Sequence, residues 1–143
     1  MLGSFKKAIF RALCCVLIGG GGLMAEPNPE ELFDLGMLSY DKQDFSQARK
    51  YFEKACDLND SSGCKNLGVL YENGQGVEKD LIEAAYLYSR ACELKDGWGC
   101  SFLGVLYYNG DGVKQDSKKA ATLFEKACKL GYKKACEMLK ELR

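Results

Sequence analysis

Histidine is absent from all 143 residues of the chain. Zinc sites want cysteines two to four residues apart, often with histidine, and the cysteines here are spaced more widely, so no metal site is expected. No C-x-x-C occurs, which removes the usual spacing of a catalytic redox pair. An excess of one charge is missing as well. The chain has 20 basic and 20 acidic residues, and residues 26–143 hold 17 against 20, a net of −3. A weakly acidic, intermixed surface gives no electrostatic reason to expect nucleic acid or anionic lipid as a partner. Sustained alternation of apolar and polar residues is lacking, as are β-branched runs, so no strand is expected.

No apolar run is long enough to span a membrane comfortably. The run LCCVLIGGGGL is short and rich in glycine. It follows Lys6, Lys7 and Arg11 and ends in LMA before Glu26, the pattern of an export signal. Residues 1–25 are read as that signal, with cleavage after Ala25. Its removal takes Cys14 and Cys15 and leaves six cysteines, an even number, all within residues 26–143. Export and paired cysteines agree on an oxidising compartment, so a secreted or periplasmic location is expected.

What the chain does have is a period. ACDLNDSSGCKNLGVLYENGQGVEKD, from Ala55 to Asp80, returns 36 residues later without a gap as ACELKDGWGCSFLGVLYYNGDGVKQD, from Ala91 to Asp116. A third, partial copy starts at Ala127. A fixed period of this size marks stacked supersecondary units that bury a shared core. Each unit reads as two helices. Asn28 and Pro29 suit a helix start, and Leu32, Leu35, Gly36 and Tyr40 share one face of the helix they would open. Asp44 with Gln47, and Asp80 with Glu83, have the spacing of capping boxes. Asn73–Gly74 offers a left-handed stop. The expectation is an all-α solenoid of seven helices with helix pairs at about 28–60, 61–96 and 97–132 and a capping helix at 133–143. Gly68, Gly104, Ala84 and Ala120 fall where helices cross closely, and Tyr71, Tyr107, Tyr88 and Phe124 fill the space between layers.

The six cysteines form three C-x7-C pairs: Cys56 with Cys64, Cys92 with Cys100, and Cys128 with Cys136. The first of each pair lies near one helix end and the second near the start of the next, where antiparallel ends meet. Bridged α-carbons must lie within about 7 Å. Of the fifteen possible pairings only this one is local in every unit.

With these motifs in hand, LG-x-L-Y, NG-x-G-V-x-x-D and A-C-x-L together resemble the Sel1-like repeat, a relative of the tetratricopeptide repeat. The 36-residue period with C-x7-C in each unit is similar to that of the Helicobacter cysteine-rich proteins, over residues 26–143. The resemblance implies secreted or periplasmic repeat proteins with one disulfide per unit, factors recognised by the host, and members catalogued as penicillin-binding proteins or β-lactamases. β-Lactam chemistry at serine would use S-x-x-K, S-D-N and K-T-G. Ser39 with Lys42 and Ser62 with Lys65 match the first; S-D-N and K-T-G do not occur. Eight serines and sixteen lysines give about one S-x-x-K by chance, so these are candidates of low specificity.

Tetratricopeptide geometry, carried over, turns the first helix of each pair toward a concave face. It places Lys65, Asn66, Val69, Glu72 and Asn73 there, then Trp98, Ser101, Val105, Tyr108 and Asn109, with Met37 and Tyr40 from the first unit. Asparagines grip an extended backbone, and an exposed Trp or Tyr is a common anchor. The expected activity is binding of a protein or peptide, of the host or of the cell envelope, without a cofactor; β-lactam binding or hydrolysis is the alternative that the resemblance implies.

Overall fold

The structure, a computed structural model, describes residues 27–142. The expected export signal lies outside the described residues. Seven helices succeed one another: α1 Pro29–Asp41, α2 Phe45–Asp57, α3 Ser61–Asn73, α4 Leu81–Glu93, α5 Gly97–Asn109, α6 Ser117–Lys129 and α7 Lys133–Glu141. No strand occurs among the described residues. Six helices are 13 residues long, about 20 Å each. Equal length lets successive pairs stack without overhang.

Aspartate starts most of them. Asp44, Asp60, Asp80, Asp96 and Asp116 each accept a hydrogen bond from a backbone amide in the first helical turn, satisfying a donor that the helix itself leaves free. The two expected capping boxes are only half formed. Asp44 and Asp80 cap α2 and α4, but Gln47 and Glu83 do not reach back. The complete box is at Asn28, where the Glu31 side chain accepts from the Asn28 amide and Asn28 accepts from the Glu31 amide. Gly74 and Gly110 end α3 and α5 in the left-handed conformation, at φ 68° and 76°, which costs glycine little.

Each helix packs on its neighbours in the chain, and α3 also touches α1 and α5. Within each pair a glycine faces an aromatic ring: Gly36 faces Phe52, Gly68 faces Tyr88 and Gly104 faces Phe124. A β-carbon built on Gly68 would stand 2.6 Å from the Tyr88 ring, and one on Gly104 2.7 Å from the Phe124 ring. Those rings, with Ala48, Ala84 and Ala120, are fully or almost fully buried. Each buried large apolar side chain contributes about 1.5–3 kcal/mol. The face expected for α1 is narrower than the sequence suggests. Leu32 and Gly36 are buried, Tyr40 is half-buried, and Leu35 is exposed, because α1 has α2 and α3 as its packing partners.

The glycine loops join one unit to the one before. A β-carbon on Gly76 would run into the backbone of Phe45, and one on Gly112 into the backbone of Leu81. The loop after α3 therefore rests on the start of α2, and the loop after α5 on the start of α4. Among the described residues no second helix precedes α1, and the turn after it is four residues shorter and carries no glycine.

Candidate peptide-binding groove

Three disulfides fix the junctions between successive helix pairs. Cys56–Cys64 ties α2 to α3, Cys92–Cys100 ties α4 to α5, and Cys128–Cys136 ties α6 to α7, with α-carbons 4.5, 4.5 and 4.8 Å apart. No cysteine is free among the described residues. Gly63 and Gly99 sit beside the first two bridges. A β-carbon on either would press on Ala55 or Ala91, so glycine is what lets the bridged ends come together.

Two depressions adjoin along the first helices of the pairs. One, of about 340 Å3, is lined by Val69, Glu72, Asn73, Tyr88, Phe102 and Val105. The next, of about 320 Å3, is lined by Val105, Tyr108, Phe124, Met138, Glu141 and Leu142. Val105 belongs to both and stands between them. The floor is apolar, and the rim is set with carboxylates, Asn73 and a tyrosine. This pattern suits an extended chain with side chains dropping into alternate pockets.

The Tyr88 hydroxyl donates a 2.6 Å hydrogen bond to Glu72. Burial, then that bond and the carboxylate charge, raise the Tyr88 phenol well above its ordinary value. The phenol therefore keeps its proton on the hydroxyl oxygen as the donor to Glu72, which is held in place at the rim. Tyr71, on the same helix as Glu72, is raised too, first by burial and then by the charge of Glu83.

Of the residues expected in the groove, Val69, Glu72, Asn73, Val105 and Tyr108 line these depressions. Asn109 is exposed beside Tyr108. Asn66 donates its side-chain amide to the Ser62 carbonyl, 2.8 Å away, and so is occupied by its own helix. Met37 and Tyr40 pack against the core that α2, α3 and α4 form. Ser101 is not a groove residue, being only 2 % exposed. It stands one period after Lys65, and its short side chain does not reach past its neighbours as the lysine does. Trp98 is half-exposed and lies outside both depressions. Its ring packs at a tilt against Tyr132, 4.8 Å between centroids, meets Phe102 edge to face at 6.1 Å, and carries the Lys65 ammonium 5.0 Å above it. It thus links the starts of α3, α5 and α7. Phe102 in the floor was open to discovery, since it replaces Asn66 one period on. The Tyr88–Glu72 bond joins residues sixteen apart, and no local pattern marks it.

The S-x-x-K pairs are not assembled into a site. The Ser39 hydroxyl donates to the Leu35 carbonyl at 3.0 Å, and Lys42 is exposed beyond the end of α1. Lys65 lies over Trp98, and no hydrogen bond joins it to Ser62 among the described residues. No group of three or more His, Cys, Asp or Glu side chains suited to a metal ion occurs among them either.

The Sel1 repeat profile matches residues 61–96 and 99–132, and the tetratricopeptide repeat profile matches residues 29–62. HcpC of Helicobacter pylori strain J99 is 62 % identical over 81 residues, which are 57 % of this chain and 28 % of HcpC. The β-lactamase HcpA of the same strain is 54 % identical over 84 residues, 59 % of this chain and 34 % of HcpA. The chain thus spans about a third or less of these two relatives. The solved structure of Helicobacter pylori cysteine rich protein B superposes with a TM-score of 0.63 at 50 % identity, covering 68 % of this chain and 71 % of that one. Period, bridges, fold and relatives agree: the chain belongs to the Helicobacter cysteine-rich family of Sel1-repeat proteins.

Proposed function

We propose that the chain is an exported binding module that grips an extended peptide or protein segment, of the host or of the cell envelope, along its concave face. In this reading residues 1–25 are the signal, and the helix pairs at about 28–60, 61–96 and 97–132, with the cap at 133–143, form one domain outside the cytoplasm. The observation that supports it most is the pair of adjoining apolar depressions sharing Val105, with Glu72 and Asn73 along the rim. Bridges at every junction support it further, since a groove already held in shape loses less freedom on binding. Phage selection of unstructured peptides on the oxidised chain tests it. Selected peptides should lose affinity on Asn73→Ala and on Tyr108→Ala. Peptides that bind both variants as they bind the parent would place recognition elsewhere.

A second reading, β-lactam binding or hydrolysis, is favoured by the likeness to HcpA. Its test is turnover and adduct mass with nitrocefin and penicillin, beside Ser39→Ala and Ser62→Ala. Turnover that one substitution abolishes establishes a serine site; no turnover and no adduct removes the reading.

A further inference from the structure

The opposite face carries a cleft of about 380 Å3 between α4 and α6. Ala85 and Leu103 form part of its floor. Ile82 and Tyr86 stand on one bank, 72 % and 57 % exposed, and Lys119 and Lys126 stand on the other. The two lysines are seven residues apart on α6, roughly 10 Å along the axis. Neither has a carboxylate within ion-pair distance among the described residues, where the ion pairs are Arg49–Glu53 and Lys129–Glu125. Glu93, at the far end of the α4 bank, is the one acid lining the cleft.

The preceding junction, between α2 and α4, is an internal control built on the same backbone. There Ser46 and Lys50 stand where Ile82 and Tyr86 stand one period later, and Glu83 stands in the place of Lys119. Arg90, the counterpart of Lys126, is drawn in and donates to the Cys56 carbonyl at 3.1 Å and to the Asn59 side chain at 3.3 Å. In the α4–α6 junction Lys95 takes the place of Asn59, so the acceptor is replaced by a like charge. Lys126 makes no hydrogen bond of that kind among the described residues. In one junction the arginine is thus taken up by that junction's own backbone and Asn59. The other faces an apolar bank with a cationic one, the Lys119 ammonium lying 4.9 Å over the Tyr107 ring that also lines the cleft.

We infer that the α4–α6 cleft is a second docking site, for an acidic protein segment that carries an aliphatic or aromatic side chain. The apolar side chain covers Ile82 and Tyr86 and removes their surface from water. Carboxylates beside it meet Lys119 and Lys126, which gives the site its preference and its salt dependence. Charge complementarity selects this occupant over a basic or neutral one.

The probe is a fluorescein-labelled peptide, Glu-Glu-Leu-Phe-Glu-Glu, titrated by anisotropy into the oxidised full chain, with a Gln-for-Glu version as its neutral control. The acidic peptide should bind, more weakly as salt is raised, and the neutral one roughly ten-fold less tightly. Lys119→Glu with Lys126→Glu should reduce affinity by about ten-fold or more. Ile82→Ser with Tyr86→Lys, which restores the residues of the preceding junction and so suits the same backbone, should abolish binding. Asn73→Ala, in the groove, should change nothing, so failure of this site and failure of the groove are told apart. Circular dichroism and a thiol count establish that each variant is folded and bridged. No binding of the acidic peptide, equal binding of the neutral one, or binding lost on Asn73→Ala and kept on Tyr86→Lys overturns the inference.

Discussion

Tyr88 and Glu72 are joined by a 2.6 Å hydrogen bond from the phenol to the carboxylate, and this bond ties the second helix of one pair to the rim of the groove. Tyr88→Phe keeps the ring against Gly68 and removes the donor. A lost hydrogen bond to a charged group costs about 1.5–3 kcal/mol. The expected result is a loss of that order in urea unfolding, with the helical circular dichroism of the folded state unchanged.

The same bond gives a pH dependence with a definite sign. The folded phenol is raised above its ordinary value of 10.0 by burial and by Glu72. Its contribution is fully present below pH 10 and is lost as pH rises past the point where the unfolded tyrosine ionises. Unfolding free energy should therefore fall above about pH 10. Tyr88→Phe should flatten that decline and leave a smaller one from Tyr71, which is also raised. Equal slopes in the two proteins would contradict this account.

Gly68→Ala and Gly104→Ala place a methyl group 2.6 Å and 2.7 Å from the rings of Tyr88 and Phe124. Both rings are buried and would have to shift off their packing to admit it. Overpacking of this kind costs about 1–3 kcal/mol, against the small gain that alanine brings to a helix interior. Thermal unfolding should show both variants destabilised. Gly68→Ala combined with Tyr88→Leu should recover part of the loss.

Lys95 holds a left-handed backbone at φ 71°, in the turn where Gly131 stands one period later at φ 98°. A side chain in that region is strained by about 1 kcal/mol. Lys95→Gly should relieve part of it and stabilise the chain by about 0.5–1 kcal/mol, read as a rise in melting temperature. A fall would mean that the lysine side chain supplies more than its backbone strain removes.

The bridges should act as separate increments. Removing Cys92 and Cys100 together opens a loop of about nine residues and costs roughly 2–3 kcal/mol. Because this bridge is at the middle junction, unfolding should broaden as the two ends lose their coupling. Mass mapping of the oxidised chain should return the three C-x7-C pairs.

Most of the architecture is legible in the residues alone, because a gapless period repeats each signal. Cys56 and Cys64 alone leave alternatives open, whereas three such pairs 36 apart leave one local pairing. Helix ends are legible where an aspartate or an Asn-Gly marks them. What stays hidden depends on contacts across the stack. Leu35 has the right spacing for burial, but exposure is decided by which neighbours α1 has. Ser101 matches a groove position and is buried because its side chain is short. Trp98 is unusual in the sequence, but its packing against Tyr132 depends on how α5 and α7 meet. The α4–α6 cleft is invisible while only the first helices of the pairs are considered. It emerges on comparing Ile82, Tyr86 and Lys126 with Ser46, Lys50 and Arg90.

Gly76 and Gly112 approach the backbone of the preceding unit closely, at Phe45 and Leu81. Each step from one unit to the next thus includes a close approach of main chain to main chain. Such a contact stays the same whichever outward residues surround it. Insertion or deletion of a whole 36-residue block, cut at equivalent loop positions, should leave the pitch intact, and outward side chains are free to diversify without altering it. The scaffold behaves as a ruler with fixed graduations, on which different inscriptions can be written.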